Sequence, residues 1–522
     1  MCRVPRGPGL QGKTSLVTTV TDLLIVGGGI NGAGIARDAV GRGLSVVLCE
    51  QGDLAGYTSS ASTKLIHGGL RYLEYYEFRL VREALFERER LLESAPHIIW
   101  PLRFILPHEK GIRPAWFVRL GLFMYDHLAP RKKLPGTEAI KLTRHPAGQA
   151  LKPGFDTAFV YSDCWVEDSR MVALNALDAF EKGADIRVRT KLISARREGD
   201  LWVASLQDVE SGQTEEVRAR VIVNAGGPFV ADVLNSKLGL NTTKNVRLVK
   251  GSHIVVPKLF DTKEAFILQN TDKRIVFAIP YQEKFTLIGT TDIPVESVPD
   301  KKVEISPDEI QYLCNVVNHF FKRQVTPAEV VWTYSGVRPL FDDGSSNASA
   351  VTRDYVFDMD APQGQAPVLS IFGGKITTFR KLSEHALEEL KPFFPSMKPS
   401  WTEKAKMPGG DMPDADFDRF FATVRQRWPF LPEHLAHRLA RAYGTRMEEL
   451  LGSATSLADL GEDFGAGLLA AEVDYLVRRE WARTAEDILW RRSKLGLHVP
   501  VDAAAKIDAY LAKKKVASVA AQ

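Results

Sequence analysis

A glycine run near the start of the chain has the spacing of a phosphate-binding turn. Gly27, Gly29 and Gly32 lie in the segment GGGINGAG and satisfy the pattern G-x-G-x-x-G. The first glycine permits the tight turn, the second lets the backbone approach a pyrophosphate, and the third lets the following helix pack against the preceding strand. The helix N-terminus then faces the phosphates with unpaired N–H groups. The run predicts a dinucleotide site, with the intervening Asn31 as a further candidate contact.

An acidic residue follows where a dinucleotide site requires one. Glu50 ends the next apolar strand pattern, and its carboxylate can accept hydrogen bonds from the ribose hydroxyls of an adenosine. This fingerprint does not separate FAD from NAD. Its position at the start of a chain of 522 residues favours a permanently bound flavin, and so does a second glycine cluster near the far end.

The second cluster reads FGGKITT over residues 372–378. We expect backbone N–H groups of Gly373 and Gly374 to line the pyrimidine edge of an isoalloxazine ring. Lys375 and Thr377 complete this set of candidate cofactor contacts.

A segment rich in hydroxyl groups, TSSASTK at residues 58–64, follows the second predicted strand. Its hydroxyl and backbone donors suit a pyrophosphate and a flavin ring, and a simple polar loop is the alternative interpretation. Further candidate cofactor contacts in and beyond this segment are Thr58, Ser59, Ser60, Ser62, Lys64, Gly68, Gly69, Ala225 and Gly226.

The elements around these residues predict a parallel sheet. Leu23 to Val26 are continuously apolar, as a buried parallel strand should be, and helical material follows Gly32. Helices are predicted over 79–93 and 168–182, the second with Asp168 or Ser169 as its N-cap. Strand-like runs between residues 185 and 224 are expected to return to the first sheet.

Two further regions have different patterns. Residues 246–292 alternate strongly and carry β-forming residues, which predicts a largely antiparallel domain, and helical spacing dominates after Pro408. The predicted fold class is an α/β FAD-binding Rossmann-like domain plus a mainly antiparallel β substrate domain, with a C-terminal all-α domain. The predicted boundaries are 1–21 for a flexible tail, 22–93, 160–245 and 340–390 for the FAD-binding domain, 94–159 and 246–339 for the substrate domain, and 391–522 for the helical domain.

Composition narrows the functional classes. The chain has 68 basic and 64 acidic residues, and the net charge of +4 is too small to indicate a nucleic-acid partner. Its four cysteines lack CxxC or metal-ligand spacing, so neither a disulfide framework nor a metal site is expected. No run of about twenty apolar residues is present, so no segment is expected to span a membrane.

Many long motifs of the chain are shared, in the same order, with one group of flavoproteins. They include GGGINGAGIARDAVGRGLSV, TSSASTKLIHGGLRYLEYYEFRLV, KGSHIVVP, IGTTD, VWTYSGVRPL, FGGKITTFRKL and DILWRRSKLGL. From Asp22 to about Leu497 the chain resembles the aerobic, FAD-dependent glycerol-3-phosphate dehydrogenases of bacteria, within the wider D-amino-acid-oxidase-like family.

The resemblance implies an activity, a cofactor and a location. It implies oxidation of sn-glycerol 3-phosphate to dihydroxyacetone phosphate, non-covalently bound FAD, and transfer of the electrons to a membrane quinone. It also implies a cytoplasmic enzyme attached peripherally to the inner face of the cytoplasmic membrane. The possibility of a homodimer stays open.

Two arginines match the phosphate-binding positions of the resembled family. Arg338 lies in SGVRP and Arg353 in TRDY, and a guanidinium group binds phosphate with two parallel hydrogen bonds. A surface salt bridge is the alternative for any arginine. Arg71 and Tyr72 are further candidate contacts of the substrate or the flavin.

The implied reaction removes a hydride from C2 of the substrate and a proton from its hydroxyl group. A base or acceptor must therefore lie within about 3 Å of that hydroxyl. His253 and Lys375 are the candidates: His253 as the base, and Lys375 to stabilise the reduced flavin or the alkoxide. The sequence does not choose between these roles, and a structural histidine is the alternative for His253. Arg338 completes the candidate catalytic set.

A possible membrane contact lies at residues 112–133. The segment combines Trp116, Phe117, Phe123 and Tyr125 with a basic end, a composition suited to a bilayer interface. This predicts monotopic attachment, and a buried helix of the substrate domain is the alternative.

Two other functions compete with the dehydrogenase. A glycerol-3-phosphate oxidase would pass the same electrons to oxygen, and a non-catalytic binding protein would retain only the flavoprotein fold. The intact glycines, Glu50 and the arginine pair argue against the second.

Overall fold

The computed structural model describes residues 20–109, 114–240, 246–270, 272, 274–297, 303–341 and 354–520. In chain order the strands are β1 (Val20–Val26), β2 (Val46–Glu50), β3 (Leu65–Ile66), β4 (Ile99–Pro107), β5 (Glu138–Lys141), β6 (Thr157–Val166), β7 (Asp185–Val188), β8 (Thr190–Glu198), β9 (Leu201–Asp208), β10 (Thr214–Asn224), β11 (Val246–Pro257), β12 (Ala265–Gln269), β13 (Ile275–Tyr281), β14 (Phe285–Gly289), β15 (Ile293–Val295), β16 (Trp332–Phe341), β17 (Val356–Asp360) and β18 (Val368–Phe372).

The helices alternate with these strands in the first two thirds of the chain and dominate the last third. They are α1 (Ile30–Gly41), α2 (Phe78–Ser94), α3 (Ala115–His127), α4 (Asp168–Glu181), α5 (Val230–Asp232), α6 (Pro307–Phe320), α7 (Phe379–Leu390), α8 (Phe417–Arg427), α9 (Glu433–Tyr443), α10 (Met447–Leu451), α11 (Ala470–Glu480) and α12 (Ala503–Ala520).

The first sheet is the predicted dinucleotide-binding sheet. Its main strand order is β17-β18-β10-β1-β2-β7. Neighbouring strands in this order are parallel, except that β17 at the edge is antiparallel to β18. The antiparallel hairpin of β8 and β9 pairs with the beginning of β10. Val26 is in register with both Cys49 and Asn224, so β1, β2 and β10 end at the same edge. That edge is where a parallel sheet binds its ligand.

Apolar packing holds the helices on this sheet. Leu23 and Ile25 of β1 are fully buried, and α1 contacts both α4 and α7. Gly34 permits this close approach, because a Cβ atom there would lie 2.7 Å from the ring of Phe379. Burial of apolar surface is the main driving force for this packing.

The second sheet contains the predicted alternating segment. Its main order is β15-β11-β14-β13-β12-β4-β6-β3, with β16 beside β11 and β5 beside β6. The pairs are antiparallel except for β12 and β4, which run parallel, so the mainly antiparallel sheet is mixed. The predicted boundary at 159/160 falls inside β6, which pairs with β4 as far as Val166.

The C-terminal helices have their own apolar core and contact the first sheet through buried charges. Asp53, in the loop after β2, accepts hydrogen bonds from Arg491 at 2.6 Å and from Arg492 at 2.8 Å. Arg170 of α4 pairs with Glu480 of α11, and both side chains are buried. Paired buried charges of this kind fix the relative position of two packed units, because breaking one pair leaves a charge without compensation.

Two sequence predictions about local structure are refined. Helix α2 extends the predicted 79–93 helix by one residue at each end, to Phe78 and Ser94. Helix α4 begins at Asp168, but its N-cap residue is Glu167, and neither Asp168 nor Ser169 caps it. The Asp168 carboxylate instead binds the side chains of Lys64 and Ser62. A non-local ion pair has therefore replaced the expected local cap.

Two further features concern the cysteines and the helices of the described residues. Cys49, Cys164 and Cys314 are free thiols and are buried. Among the described helices, none combines the length and the apolar composition needed to cross a membrane.

Candidate active site

The first glycine run forms a tight strand–turn–helix connection. Gly27 has φ +112°, and a Cβ atom there would lie 2.5 Å from the carbonyl oxygen of Ala225 at the end of β10. A Cβ atom at Gly32 would lie 1.9 Å from the carbonyl oxygen of Gly27, so helix α1 can approach the turn only with glycine there. Gly29 is the N-cap of α1 and provides no side-chain cap, which leaves the helix N-terminus accessible to an anion.

Glu50 lies at the end of β2, beside this turn. Its two carboxylate oxygens accept hydrogen bonds from the backbone N–H groups of Gly28 and Gly52, both at 2.7 Å. Burial raises the pKa of Glu50, while these two N–H groups act in the opposite direction. The residue is therefore at the expected edge of the sheet, and part of its hydrogen-bonding capacity positions the backbone.

The hydroxyl-rich segment divides between two tasks. Ser59 Oγ accepts a hydrogen bond from the N–H of Ile30 in the first turn of α1, at 3.0 Å, and Thr58 Oγ1 donates to Val337 O at 2.6 Å. Ser62 and Lys64 instead bind Asp168, and the side chain of Lys64 is fully buried. Ser59 therefore lies beside the predicted phosphate turn, whereas Thr58, Ser62 and Lys64 anchor the segment to neighbouring elements.

A cavity of about 240 Å³ lies between the two sheets. The predicted site residues that line it are Thr58, Ser59, Ser62, Tyr72, His253, Arg338, Gly373, Gly374, Lys375 and Thr377. The cavity lining of the described residues does not include Gly27, Gly29, Asn31, Gly32, Glu50, Ser60, Lys64, Gly68, Gly69, Arg71, Ala225 or Gly226.

The second glycine cluster connects β18 to α7 at one side of the cavity. Gly373 and Gly374 have φ +79° and +99°. Asn31 Nδ2 donates a hydrogen bond to Gly373 O at 3.2 Å, which joins the two glycine clusters. Lys375 Nζ lies 3.9 Å from the centre of the Tyr72 ring, and Thr377 Oγ1 accepts a hydrogen bond from the N–H of His67 at 3.2 Å.

Gly68 and Gly69 act on the shape of the neighbouring backbone. A Cβ atom at Gly68 would lie 2.5 Å from the Leu85 side chain, and one at Gly69 would lie 2.2 Å from the Tyr72 ring. The N–H of Gly68 donates to Tyr125 Oη at 2.8 Å. These glycines therefore bring Tyr72 and His67 to the cavity wall, whereas Arg71, in the same short helical turn Leu70–Tyr75 as Tyr72, is not among the lining residues.

His253 lies on β11 at the opposite wall. Its Nε2 is 3.0 Å from Thr63 Oγ1, and its ring stacks on Tyr334 with a centroid distance of 4.7 Å. Gly289 faces it across the sheet, where a Cβ atom would come within 2.1 Å of the imidazole. Burial, and then the positive charges of Lys64 and Arg338, hold the pKa of His253 well below its ordinary value of 6.5. The imidazole is neutral near pH 7 and has the protonation state of a base.

Arg338 supplies a positive charge to the same end of the cavity. Its Nη2 donates to Thr291 O at 3.0 Å and to Asp292 Oδ1 at 2.9 Å, and its side chain is 31% exposed. Gly251 allows the guanidinium to lie across β11, because a Cβ atom there would be 2.9 Å from Nη2. Arg353, its predicted partner, lies outside the described residues.

The arrangement fits a flavin dinucleotide. The glycine turn at the N-terminus of α1 is a cradle that side chains would fill, and it opens beside the cavity. Asn31 Oδ1 and His253 Nδ1 are buried and have no hydrogen-bond partner among the described residues. Polar atoms buried in this way are usually satisfied by a ligand or by water.

Sequence reasoning missed several contributors to this site. Thr63 lies within the hydroxyl-rich segment, directly after the predicted contact Ser62, and its hydroxyl group made it an equal candidate. Gly289, Tyr334 and Asp168 gave no such signal, since each acts through a partner more than 35 residues away.

Comparisons with known proteins follow this division of the chain. Residues 22–380 match the family described as FAD dependent oxidoreductase. Residues 400–519 match the family described as the C-terminal domain of alpha-glycerophosphate oxidase.

Three relatives illustrate the similarity. The chain is 55% identical to D-erythritol 1-phosphate dehydrogenase of Brucella abortus, over 92% of this chain and 95% of that protein. It is 52% identical to aerobic glycerol-3-phosphate dehydrogenase of Escherichia coli, over 94% and 97%. Among solved structures, the FAD complex of glycerol-3-phosphate dehydrogenase from Bacillus halodurans superimposes with a TM-score of 0.74 at 25% identity, covering 96% of this chain and 89% of the other.

Proposed function

We propose that this chain, which belongs to the family of FAD-dependent oxidoreductases, oxidises sn-glycerol 3-phosphate to dihydroxyacetone phosphate. The observation that carries the proposal is the combination of a cationic and a basic side chain at one end of the cavity. Arg338 and His253 line the cavity together with the second glycine cluster, and the first glycine cluster lies beside it at the N-terminus of α1. A substrate needs a phosphate for the first residue and an oxidisable hydroxyl group for the second.

The phosphate end of the substrate is the better defined. Arg338 is partly exposed at the cavity wall, so its guanidinium can bind a dianion with charge-assisted hydrogen bonds. Thr290 also lines the cavity, and its hydroxyl, which donates to Thr291 O at 3.1 Å, must rotate to donate to a phosphate oxygen. Arg353 is proposed as the second arginine of the clamp on the basis of the sequence resemblance alone.

The bound FAD supplies the two-electron acceptor for the hydride that leaves C2. The chain itself must remove the hydroxyl proton, because the product is a ketone. Neutral His253 accepts that proton, and Thr63 holds its imidazole at 3.0 Å. Lys375, which also lines the cavity, supplies positive charge that stabilises either the alkoxide formed as the hydroxyl proton leaves or the reduced cofactor.

A second substrate is favoured by one specific observation. The 55% identity to a relative named D-erythritol 1-phosphate dehydrogenase extends over nearly the whole chain. A tetritol phosphate has one hydroxymethylene group more than glycerol phosphate, and it presents the same phosphate and secondary hydroxyl to Arg338 and His253.

An anaerobic absorbance titration tests the function and separates the substrates. The purified holoenzyme is mixed with sn-glycerol 3-phosphate, with D-erythritol 1-phosphate, or with unphosphorylated glycerol as a control. Bleaching of the flavin by glycerol phosphate at the lower concentration supports the main proposal, and bleaching by the tetritol phosphate at the lower concentration supports the second. A flavin that neither phosphate reduces would overturn both proposals.

The proposal also covers the electron acceptor and the attachment of the protein to the membrane. A membrane quinone is dissolved in lipid, so its reduction requires a surface that reaches the bilayer. Helix α3 carries such a surface: Trp116, Phe117, Leu120 and Phe123 are 67%, 43%, 48% and 59% exposed. Their spacing places them on one side of the helix, while Leu122 and Tyr125 face the core.

This exposed side of α3 supports monotopic attachment to the inner face of the cytoplasmic membrane. The alternative, a buried helix of the substrate domain, accounts for Leu122 and Tyr125 but not for the four exposed apolar side chains. An interfacial helix inserts its aromatic side chains among the lipid head groups and keeps its backbone hydrogen bonds within the helix. Reduction of a quinone analogue, measured against oxygen consumption, decides between a dehydrogenase and an oxidase.

A further inference from the structure

A buried charge cluster lies where the C-terminal helices meet the wall of the cavity. It consists of Lys64, Asp168 and Lys494, whose side chains are 0%, 0% and 5% exposed. Lys64 Nζ is 2.9 Å from Asp168 Oδ2, and Lys494 Nζ is 3.9 Å from Asp168 Oδ1. Lys494 therefore brings a positive charge from the C-terminal helices to a carboxylate of the first domain.

The backbone around Lys494 is shaped to deliver this side chain. Lys494 has φ +60°, directly after the helical segment Asp487–Arg492, and its Nζ donates a hydrogen bond to Trp490 O at 2.7 Å. The Trp490 ring stacks on Trp332 of β16 at 4.5 Å. This single turn thus contacts both the charge cluster and the second sheet.

Asp168 transmits the position of the cluster to the cavity wall. Its Oδ2 accepts a hydrogen bond from Ser62 Oγ at 2.7 Å, and the partner Lys64 Nζ donates to Ser60 O at 3.1 Å. Tyr334 Oη donates to Ser62 O at 2.9 Å. Three groups therefore fix the backbone of residues 60–62, which precede Thr63.

Thr63 connects this segment to the candidate base. Its hydroxyl group is 3.0 Å from His253 Nε2. The ring of Tyr334, which also bonds to this segment, stacks on the imidazole. A shift of the segment would move the hydroxyl and the stacked ring together. The orientation of His253 thus depends on a series of contacts that begins at Lys494 in the C-terminal helices.

We propose that Lys494 is a positioning residue, through which the docked C-terminal helices hold the segment 60–63 and the imidazole of His253 in the geometry required to remove the hydroxyl proton of the substrate. The inference rests on the proposed function for the role of His253. It assigns the C-terminal region a task in the active site in addition to packing.

The energetics of the cluster support a task of this kind. Burial, and then the charge of Lys64, lower the pKa of Lys494 to about 7, so the folded protein carries the ammonium form of this side chain only at a cost in stability. The carboxylates of Asp168 and Glu167 both face Lys64 and Lys494, so the four charges compensate one another. A supporting shell of this kind locks the rotamers of the groups that it contacts.

The test compares Lys494→Met, Lys494→Arg and Lys506→Met in the full-length holoenzyme. Lys506 is the matched control, since it is also in the C-terminal region but makes an exposed ion pair with Asp502 at 2.9 Å. The readouts are the affinity of the apoprotein for FAD, the visible flavin spectrum, and the anaerobic rate of flavin reduction, all at a pH below 7.

Lys494→Met is expected to reduce the flavin reduction rate about tenfold with little change in KM, because it disturbs the base more than the phosphate site. It should also weaken FAD binding and alter the flavin spectrum, with partial recovery in Lys494→Arg and none of these effects in Lys506→Met. A double-mutant cycle with Thr63→Val should show coupling between two side chains that do not touch.

Additive effects of Lys494→Met and Thr63→Val, or a folded Lys494→Met enzyme with the wild-type rate and spectrum, would overturn the proposal. If Lys494→Met does not fold, Lys494→Gln replaces it, because the amide retains a donor to Trp490 O without the charge. FAD affinity and the spectrum require no substrate, so they decide the role of Lys494 even if neither polyol phosphate reduces the enzyme.

Discussion

Asn31 and Gly373 are 342 positions apart in the chain, and a hydrogen bond of 3.2 Å from Asn31 Nδ2 to Gly373 O joins them. The bond ties the phosphate turn after β1 to the glycine cluster after β18. Since Asn31 Oδ1 is buried and has no hydrogen-bond partner within the described residues, the same side chain has an acceptor left for a ligand. One amide thus positions both glycine clusters.

Replacing Asn31 by Ala should weaken FAD binding about tenfold without unfolding the protein. Loss of one hydrogen bond costs about 0.5–1.5 kcal/mol, and relaxation of the second glycine cluster adds to that cost. The affinity of the apoprotein for FAD is measured by fluorescence quenching. Asn315→Ala on the exposed side of α6, which removes a bond to Gln311, is the control. Equal affinities in both variants would contradict the link.

Gly29→Val should yield a folded but colourless protein. A Cβ atom at Gly29 meets only Ser59 Oγ, at 3.2 Å, so the apoprotein can tolerate it. The larger side chain would instead occupy the space at the N-terminus of α1 that a pyrophosphate needs. The ratio of flavin absorbance to protein absorbance reports the loss, and Gly121→Ala, with nothing within 4 Å, is the control. Retention of yellow colour would place the pyrophosphate elsewhere.

Arg338→Ala should raise KM for the phosphorylated substrate about 10- to 100-fold while FAD is retained, because a charged hydrogen bond contributes about 1.5–3 kcal/mol. Steady-state kinetics with an artificial acceptor measure the change. Arg323→Ala, in an exposed pair with Glu329, is the control and should leave KM unchanged. An unchanged KM for Arg338→Ala would remove this residue from the substrate site. The sequence predicts the same result for Arg353→Ala.

The pH dependence of flavin reduction should show no loss of rate from about pH 8 to pH 6.5. A base acts in its neutral form, and the lowered pKa of His253 keeps the imidazole neutral until the pH is well below 6.5. The rate should then fall as the imidazole gains a proton. Stopped-flow reduction across the pH range measures this, and His253→Asn should be slow and lack this step. Half-loss of the wild-type rate at pH 6.5 would contradict the burial of a neutral base.

Trp116→Ser combined with Phe123→Ser should reduce binding to anionic phospholipid vesicles about tenfold, because these rings provide much of the apolar surface that α3 exposes. Flotation with vesicles of phosphatidylglycerol and phosphatidylethanolamine measures the bound fraction. Val209→Ser combined with Leu457→Ser is the control, since both residues are exposed apolar side chains outside α3. Identical flotation of the two double variants would place the membrane contact on another surface.

Much of the first sheet could be predicted because its determinants are local. The spacing of Gly27, Gly29 and Gly32 follows from a single turn, and each predicted strand and helix next to it is present. The placement of Glu50 at the sheet edge follows from the register of β2 with β1.

The wall that holds the candidate base could not be predicted in this way. The ring of His253 requires Gly289 on one neighbouring strand and Tyr334 on another, and these pairings depend on the register of three antiparallel strands. Lys64 was expected at the cofactor, but its ammonium group pairs with Asp168. Burial decides between such partners, and burial is a property of the assembled fold.

The ion pair of Asp53 with Arg492 has a consequence for biosynthesis. These residues are separated by 439 positions, and the pair closes the loop that follows β2. A ribosome synthesises the chain from its N-terminus, so the loop beside the phosphate turn can gain this ion pair only after Arg492 has emerged, 439 residues behind Asp53.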